Sequence, residues 1–192
     1  MNTPIPPTRT SAIEQARQVI AQQPVYLDTE TTGLDKQDEV VEITIVDDEA
    51  KVLFTSLVRP AQAIPPSSTA INGITNDMVK GAPTWPALWP TVRGHLLGKV
   101  VAAYNADFDL RLMQQSLTRY RLPWRDNLNM FDILRLYSEY RGEWDPARRS
   151  YRYFKLEEAQ RFFNIPIFNE HRATADTLLA RAVLRCIAGL SY

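Results

Sequence analysis

The sequence predicts an α/β layered fold with a mixed five-stranded sheet flanked by helices, and three observations carry that reading. Strand-like segments come first, in "PVYLDTE" and in both halves of "EVVEITIVDDEAKVLFTSLVRP". From "KVVAAYN" onward, strand and helix patterns alternate. Strands in sequence, two of them joined as an antiparallel hairpin, followed by strands alternating with helices, argue a layered fold with a mixed sheet.

Taken in order, "MNTPIPPTRT" is rich in Pro and Thr, and residues 1–10 are expected to be a flexible start to a single domain over 11–192. A helix is predicted from Ser11 to Gln22, with Ser11 as N-cap and Glu14 in capping-box spacing. Val25 to Glu30 reads as a strand that stops at Thr31-Thr32-Gly33. The next two strands should form a hairpin turning at Asp47 to Ala50. A Pro-rich loop from Ala61 to Ser68 leads to "INGITNDMV", where Thr75 can cap a short helix, and Trp85 to Leu97 reads as a longer one. "KVVAAYN" is apolar on both faces, as a strand covered on both sides must be. Helices are predicted over Asp107 to Thr118, Phe131 to Tyr140, Lys155 to Phe163 and Arg172 to Ala188, with a short strand around Leu128 to Met130.

The 192 residues suffice to bury roughly 70% of the unfolded surface. Apolar residues at 45% and charged residues at 23% are ordinary values that exclude a disordered or fibrous chain. A formal net charge of zero gives no global attraction to nucleic acid or membrane. Charge is nonetheless uneven: ten acidic and four basic residues lie between Asp28 and Lys80, against seven and eleven between Arg111 and Arg161. The lone Cys186 and the lack of a leader-like start suggest a reducing, cytoplasmic setting, and apolar runs fall well short of the ~20 residues of a membrane span.

The carboxylates set the chemistry. Asp28 and Glu30 share one face of a strand, about 7 Å apart, and no Lys or Arg lies between Arg17 and Lys36. One such pair could be a hydrated strand end. Two more acids argue otherwise: Asp109 and Asp176 each fall on the apolar stripe of a predicted helix, which an ordinary solvated N-terminal acid would avoid. Burying lone carboxylates costs several kcal/mol, so these must protonate, find cations or bind metal. With one Cys and two His in the chain, the donors are hard oxygens that suit Mg²⁺ or Mn²⁺. Two such ions are the device for in-line phosphoryl displacement, which makes a phosphodiester the natural substrate.

Attack by water also requires a base, and His171 is the candidate. It stands five residues before Asp176, about 140° out of helical register, so it must precede the helix in a loop, which Pro166 allows. His95 lacks such a setting and reads as a surface residue. Asp107, about 200° around the helix from Asp109, reads as its cap. Arg148, Arg149, Arg152 and Lys155, interleaved with Tyr151, Tyr153 and Phe154, suit a single strand or, equally, a basic surface loop.

"LDTETTGL", "YNADFD" and "HRATAD" resemble, in order and spacing, the three motifs of the DEDDh exonuclease family, which includes the epsilon proofreading subunit of bacterial DNA polymerase III and ribonuclease T. The resemblance covers about residues 24 to 185. It implies a ribonuclease H-like fold and 3′-to-5′ removal of nucleotides from a nucleic-acid end, DNA first and RNA as the alternative. By the same resemblance Asp28 bridges two metal ions, Glu30 and Asp176 complete the first site, Asp109 supports the second and His171 activates water. Thr31, Thr32, Gly33 and Leu34 would hold the terminal nucleotide, Leu34 as a wedge, with Asn105 as a polar positioner and Phe108 as an aromatic platform. Tyr104 stands where the family usually has His, and Asn72 where "HGIT"-like segments do; both bear on nucleotide contacts rather than on catalysis. Candidate partners are the 3′ end of single-stranded DNA or RNA, a DNA polymerase subunit and a second copy of the chain, with no membrane. A polymerase-associated binding module is the rival reading, against which the complete set of acids and histidine argues.

Overall fold

A computed structural model describes residues 9–167 and 171–192. Helix α1 (Arg9–Ala21) leads into β1 (Val25–Thr31), β2 (Val40–Val46) and β3 (Val52–Leu57), which form a meander. Short helices α2 (Pro66–Asn72) and α3 (Asn76–Val79) precede α4 (Trp85–Leu96). Then β4 (Val100–Ala103), α5 (Ala106–Thr118), β5 (Asn129–Asp132) and α6 (Ile133–Arg141) alternate. A two-stranded hairpin, β6 (Trp144–Asp145) and β7 (Ser150–Tyr151), is followed by α7 (Leu156–Phe163) and α8 (Ala173–Ala188).

The main sheet has the order β3-β2-β1-β4-β5. β1 is antiparallel to β2 and parallel to β4, and β4 is parallel to β5. The change of direction falls at β1, which carries Asp28 and Glu30. In an α/β sheet, ligands gather beyond the carboxyl ends of strands where the topology switches.

Strand alternation divides the core. Tyr26, Val46, Val100 and Ala102 pack with α1, α6, α7 and α8. Val25, Leu27, Ile43, Ile45 and Val101 pack on the other face, beneath Trp85 and Trp89 of α4 and Leu112 and Met113 of α5. Asp28 and Glu30 continue the Tyr26 series and so face the α8 layer, whereas Thr29 continues the Leu27 series toward α5.

The hairpin turn is where expected, with the Asp47 N–H donating to the Lys51 carbonyl at 3.0 Å. Thr75 caps α3 as predicted, accepting from the Met78 N–H. Two caps differ. α1 already runs through Arg9, so Ser11 lies inside the helix; the Arg9 guanidinium sits 4.2 Å over the Tyr140 ring, and that tertiary contact carries the helix past the local cap signal. α5 is capped at Asn105 in the left-handed region (φ 74°), so Asp107 is not the cap; it pairs instead with Arg135 of α6. Among the described residues, no helix is long and apolar enough to cross a membrane.

Candidate active site

Three carboxylates meet as the sequence suggests. Oxygens of Asp28, Glu30 and Asp176 lie within 4.8 Å of one another. β1 supplies two of them from its α8-facing side, and the first turn of α8 supplies the third, 7% exposed. Asp109, 3% exposed, comes from the opposite layer. Its Oδ1 accepts from the Thr29 backbone N–H at 3.1 Å and the Thr29 hydroxyl at 2.7 Å. It therefore stands beside Asp28 but outside the three-carboxylate group, because Thr29 points to its own layer.

The electrostatics are unfavourable throughout. Burial, followed by the charges of Asp109, Glu30, Asp176 and Glu42, holds Asp28 well above the usual carboxylate range. Glu30 is pushed up to about 7 by burial and by Asp176 and Glu42, partly offset by a hydrogen bond from Asn72. Burial also raises Asp109 to about 7, against the pull of the Thr29 bonds. An arrangement of hard, mutually repelling oxygens is stabilised by a divalent cation, so the residues present fit Mg²⁺ or Mn²⁺.

Two contributors, Thr29 and Glu42, are not evident in the sequence, and for a third, Asn72, the sequence suggests nucleotide contacts rather than a role at the carboxylates. Thr29 anchors Asp109. Asn72, buried at the end of α2, donates to the Thr31 carbonyl at 3.3 Å as well as to Glu30. Glu42 of β2, opposite Glu30 in the strand register and 5% exposed, accepts from Arg172 and from the Ala173 N–H. No spacing rule links residues 130 positions apart.

Beyond β1, residues 31–38 form a closed loop. The Thr31 hydroxyl donates to the Gly33 carbonyl and the Thr32 hydroxyl to Asp38, each at 2.7 Å. The Asp35 N–H also reaches Asp38, at 2.7 Å. A Cβ at Gly33 would lie 2.6 Å from Asp38 Oδ2, which excludes any side chain without movement of that carboxylate. Leu34 is thereby displayed 75% exposed. It lines a cleft of about 650 Å³ together with Tyr104, Asn105, Tyr153, Lys155 and His171.

The structure thus gathers Leu34, Tyr104, Asn105 and His171 at one cleft. The Tyr104 hydroxyl donates to the Phe154 carbonyl at 2.8 Å, and burial raises its pKa. Phe108 is not in the cleft lining; it packs against the α4–α5 core with Arg111 5.2 Å over its ring. His171 is exposed, with a left-handed backbone (φ 50°), immediately before Arg172, the N-cap residue of α8.

The basic and aromatic run at 145–155 is largely matched by neighbouring acids. Arg148 pairs with Asp145, Arg152 with Glu143 and Glu158, and Lys155 with Glu157. Phe154 is core, 3% exposed beneath Arg141 and Arg152, so it offers no platform for a base; Tyr153, 55% exposed, can.

A family model described as an exonuclease matches residues 25–184. An uncharacterised exonuclease of Escherichia phage 186 is 33% identical over 189 residues, 94% of this chain and 96% of its own. The epsilon subunit of DNA polymerase III from Treponema pallidum is 36% identical over 95 residues, 47% of this chain and 44% of that one. Among solved structures, exonuclease X in complex with 5′ overhanging duplex DNA aligns with a TM-score of 0.61 at 24% identity, over 87% of this chain and 93% of that one. An E. coli exonuclease I complex with single-stranded DNA gives 0.66 at 20% identity, over 86% and 41%. These two likenesses show the ribonuclease H-like fold. The chain spans nearly all of the phage protein but less than half of the polymerase subunit and of exonuclease I.

Proposed function

This chain belongs to the exonuclease family, and from that membership we propose a two-metal 3′-to-5′ hydrolysis of DNA ends in which His171 is the general base. The observation that carries the reading is the meeting of Asp28, Glu30 and Asp176 oxygens within 4.8 Å, beside a buried Asp109. Asp28, Glu30 and Asp176 would hold one divalent ion, and Asp28 with Asp109 a second. When bound, such ions supply Lewis acidity toward the phosphodiester and ease ionisation of the attacking water.

The chain's own groups do the rest. His171, which lines the cleft, accepts the proton of the attacking water on an imidazole nitrogen. The hydrogen-bonded 31–38 loop presents Leu34 against the terminal base, and Asn105 and Tyr104 line the same cleft. The Thr31, Thr32 and Asp35 bonds tie that loop to itself, which limits the ordering that binding would require. Exonuclease I and exonuclease X, solved with single-stranded and 5′ overhanging duplex DNA, support DNA as substrate. The Treponema relative makes a DNA polymerase subunit a candidate partner.

The test is a panel of end-labelled single-stranded DNA, duplex DNA and short RNA, with Mg²⁺, Mn²⁺ or EDTA. Stepwise shortening of DNA from the 3′ end, abolished by EDTA, is the expected result. Shortening of RNA alone would reassign the substrate, and 5′ shortening or metal-independent cleavage would overturn the mechanism.

A further inference from the structure

We propose that Glu42 and Arg172 are positioning residues for His171, an assignment that rests on the reading of His171 as general base. Arg172 Nε and Nη2 reach Glu42 Oε2 and Oε1 at 3.0 and 2.5 Å, a two-pronged contact. Glu42 Oε2 also accepts the Ala173 N–H at 3.0 Å, so one carboxylate caps the first turn of α8 and grips the residue before it. Two residues along both elements, the Thr44 and Thr174 hydroxyls share a hydrogen bond of 2.9 Å.

The consequence is geometric. A helix end held at one point can pivot; held at two points along a strand, it cannot. His171 is joined by a single peptide bond to the gripped residue and takes a left-handed backbone (φ 50°), so the orientation of Arg172 sets the direction in which the imidazole leaves the chain. Asp176 lies a turn further in and is secured in addition by the threonine bond and by helix packing. Arg172 is 42% exposed at its side chain, so a large stability contribution from the pair is not expected; fixed direction is what a planar, two-pronged contact supplies and a point charge does not. Misplacement of a reacting group by about 1 Å can cost on the order of 100-fold in rate.

The experiment is a double-mutant cycle on the full chain, with single-turnover rates at excess enzyme on a short 3′-labelled DNA oligonucleotide. Arg172→Ala is expected to lower the rate about 10- to 100-fold, with KM within about twofold and the cation concentration for half-maximal rate within about threefold. Arg172→Lys, which keeps the charge and the fold but not the fork, should remain impaired at least about fivefold. In the His171→Ala background, Arg172→Ala should cause no further loss, because the group it positions is gone. Melting curves identify any variant that fails to fold, in which case Arg172→Lys alone enters the cycle. Full multiplication of the two losses, a shifted cation requirement, or an unimpaired Arg172→Lys would overturn the positioning role while leaving His171 as base. An unchanged rate in His171→Ala alone would overturn the base itself, and this inference with it.

Discussion

Glu30 and Glu42 face each other across the β1–β2 pair, Glu30 half-buried and Glu42 buried, and their surroundings are opposite. Glu42 is matched by a guanidinium and a backbone N–H. Glu30 is surrounded by Asp176 and Glu42, receives one amide hydrogen bond, and is pushed to about 7. A protein able to neutralise one of two adjacent carboxylates could have neutralised the other. That it does so only for Glu42 separates a carboxylate that holds structure from one that the proposed mechanism assigns to a divalent cation.

The sharpest way to break this contrast is substitution on each side of it. Asp28→Asn should lower the single-turnover rate by at least about 10³-fold, the scale expected when a group stabilising the transition state is lost. It should also raise the melting temperature of the metal-free protein, because the change removes a partly desolvated carboxylate repelled by Asp109, Glu30 and Asp176. Glu42→Ala should do the reverse to stability, lowering it by about 1 to 3 kcal/mol in urea titrations, since Arg172 and the Ala173 N–H lose their partner. A stabilised Glu42→Ala or a destabilised Asp28→Asn would erase the distinction.

pH sharpens it further. Glu30 has an ordinary value of 4.5 and about 7 in the folded, metal-free protein. Between those values the folded state keeps a proton that the unfolded chain has released, so stability is greatest below about 4.5 and declines as pH rises toward 7. Asp109 adds to the same trend from 3.8 to about 7. Thermal melts should therefore show Mg²⁺ raising the melting temperature more at pH 8 than at pH 5.5, with equal shifts at both counting against cation binding by these groups. The smallest effect expected is from Leu34→Ala: a severalfold rise in KM for oligonucleotides with little change in stability, because the side chain is 75% exposed.

Much of this was legible in the sequence. All five strands of the sheet, the turn at Asp47 to Ala50 and the cap at Thr75 follow from local pattern, which short turns and period-two alternation preserve. Asp28, Glu30, Asp109 and Asp176 were visible because inward direction on a helix or strand can be counted. What supports them was not. Thr29 and Glu42, and the contact of Asn72 with Glu30 in place of the nucleotide role its motif suggests, depend on partners 41 to 131 positions distant or across strands, where only the folded register decides who meets whom. The same reason explains the misreadings. Ser11 and Asp107 have correct cap chemistry but lost their places to Arg9 on Tyr140 and to Asn105. For the run at 145–155, read equally as a single-strand grip or a basic surface loop, the fold takes Phe154 out of the first reading by packing it on Tyr137, while Arg152 pairs with Glu143 and Glu158.

The four acids come from three distant stretches of chain, and the last of them reaches β1 only when α8 docks on the sheet. No nascent fragment that lacks α8 can assemble the set. On the reading proposed above, hydrolytic capacity would switch on with completion of the tertiary structure, and an incomplete translation product that carries the "LDTETTGL" motif intact is expected to leave the nucleic acid around it uncut.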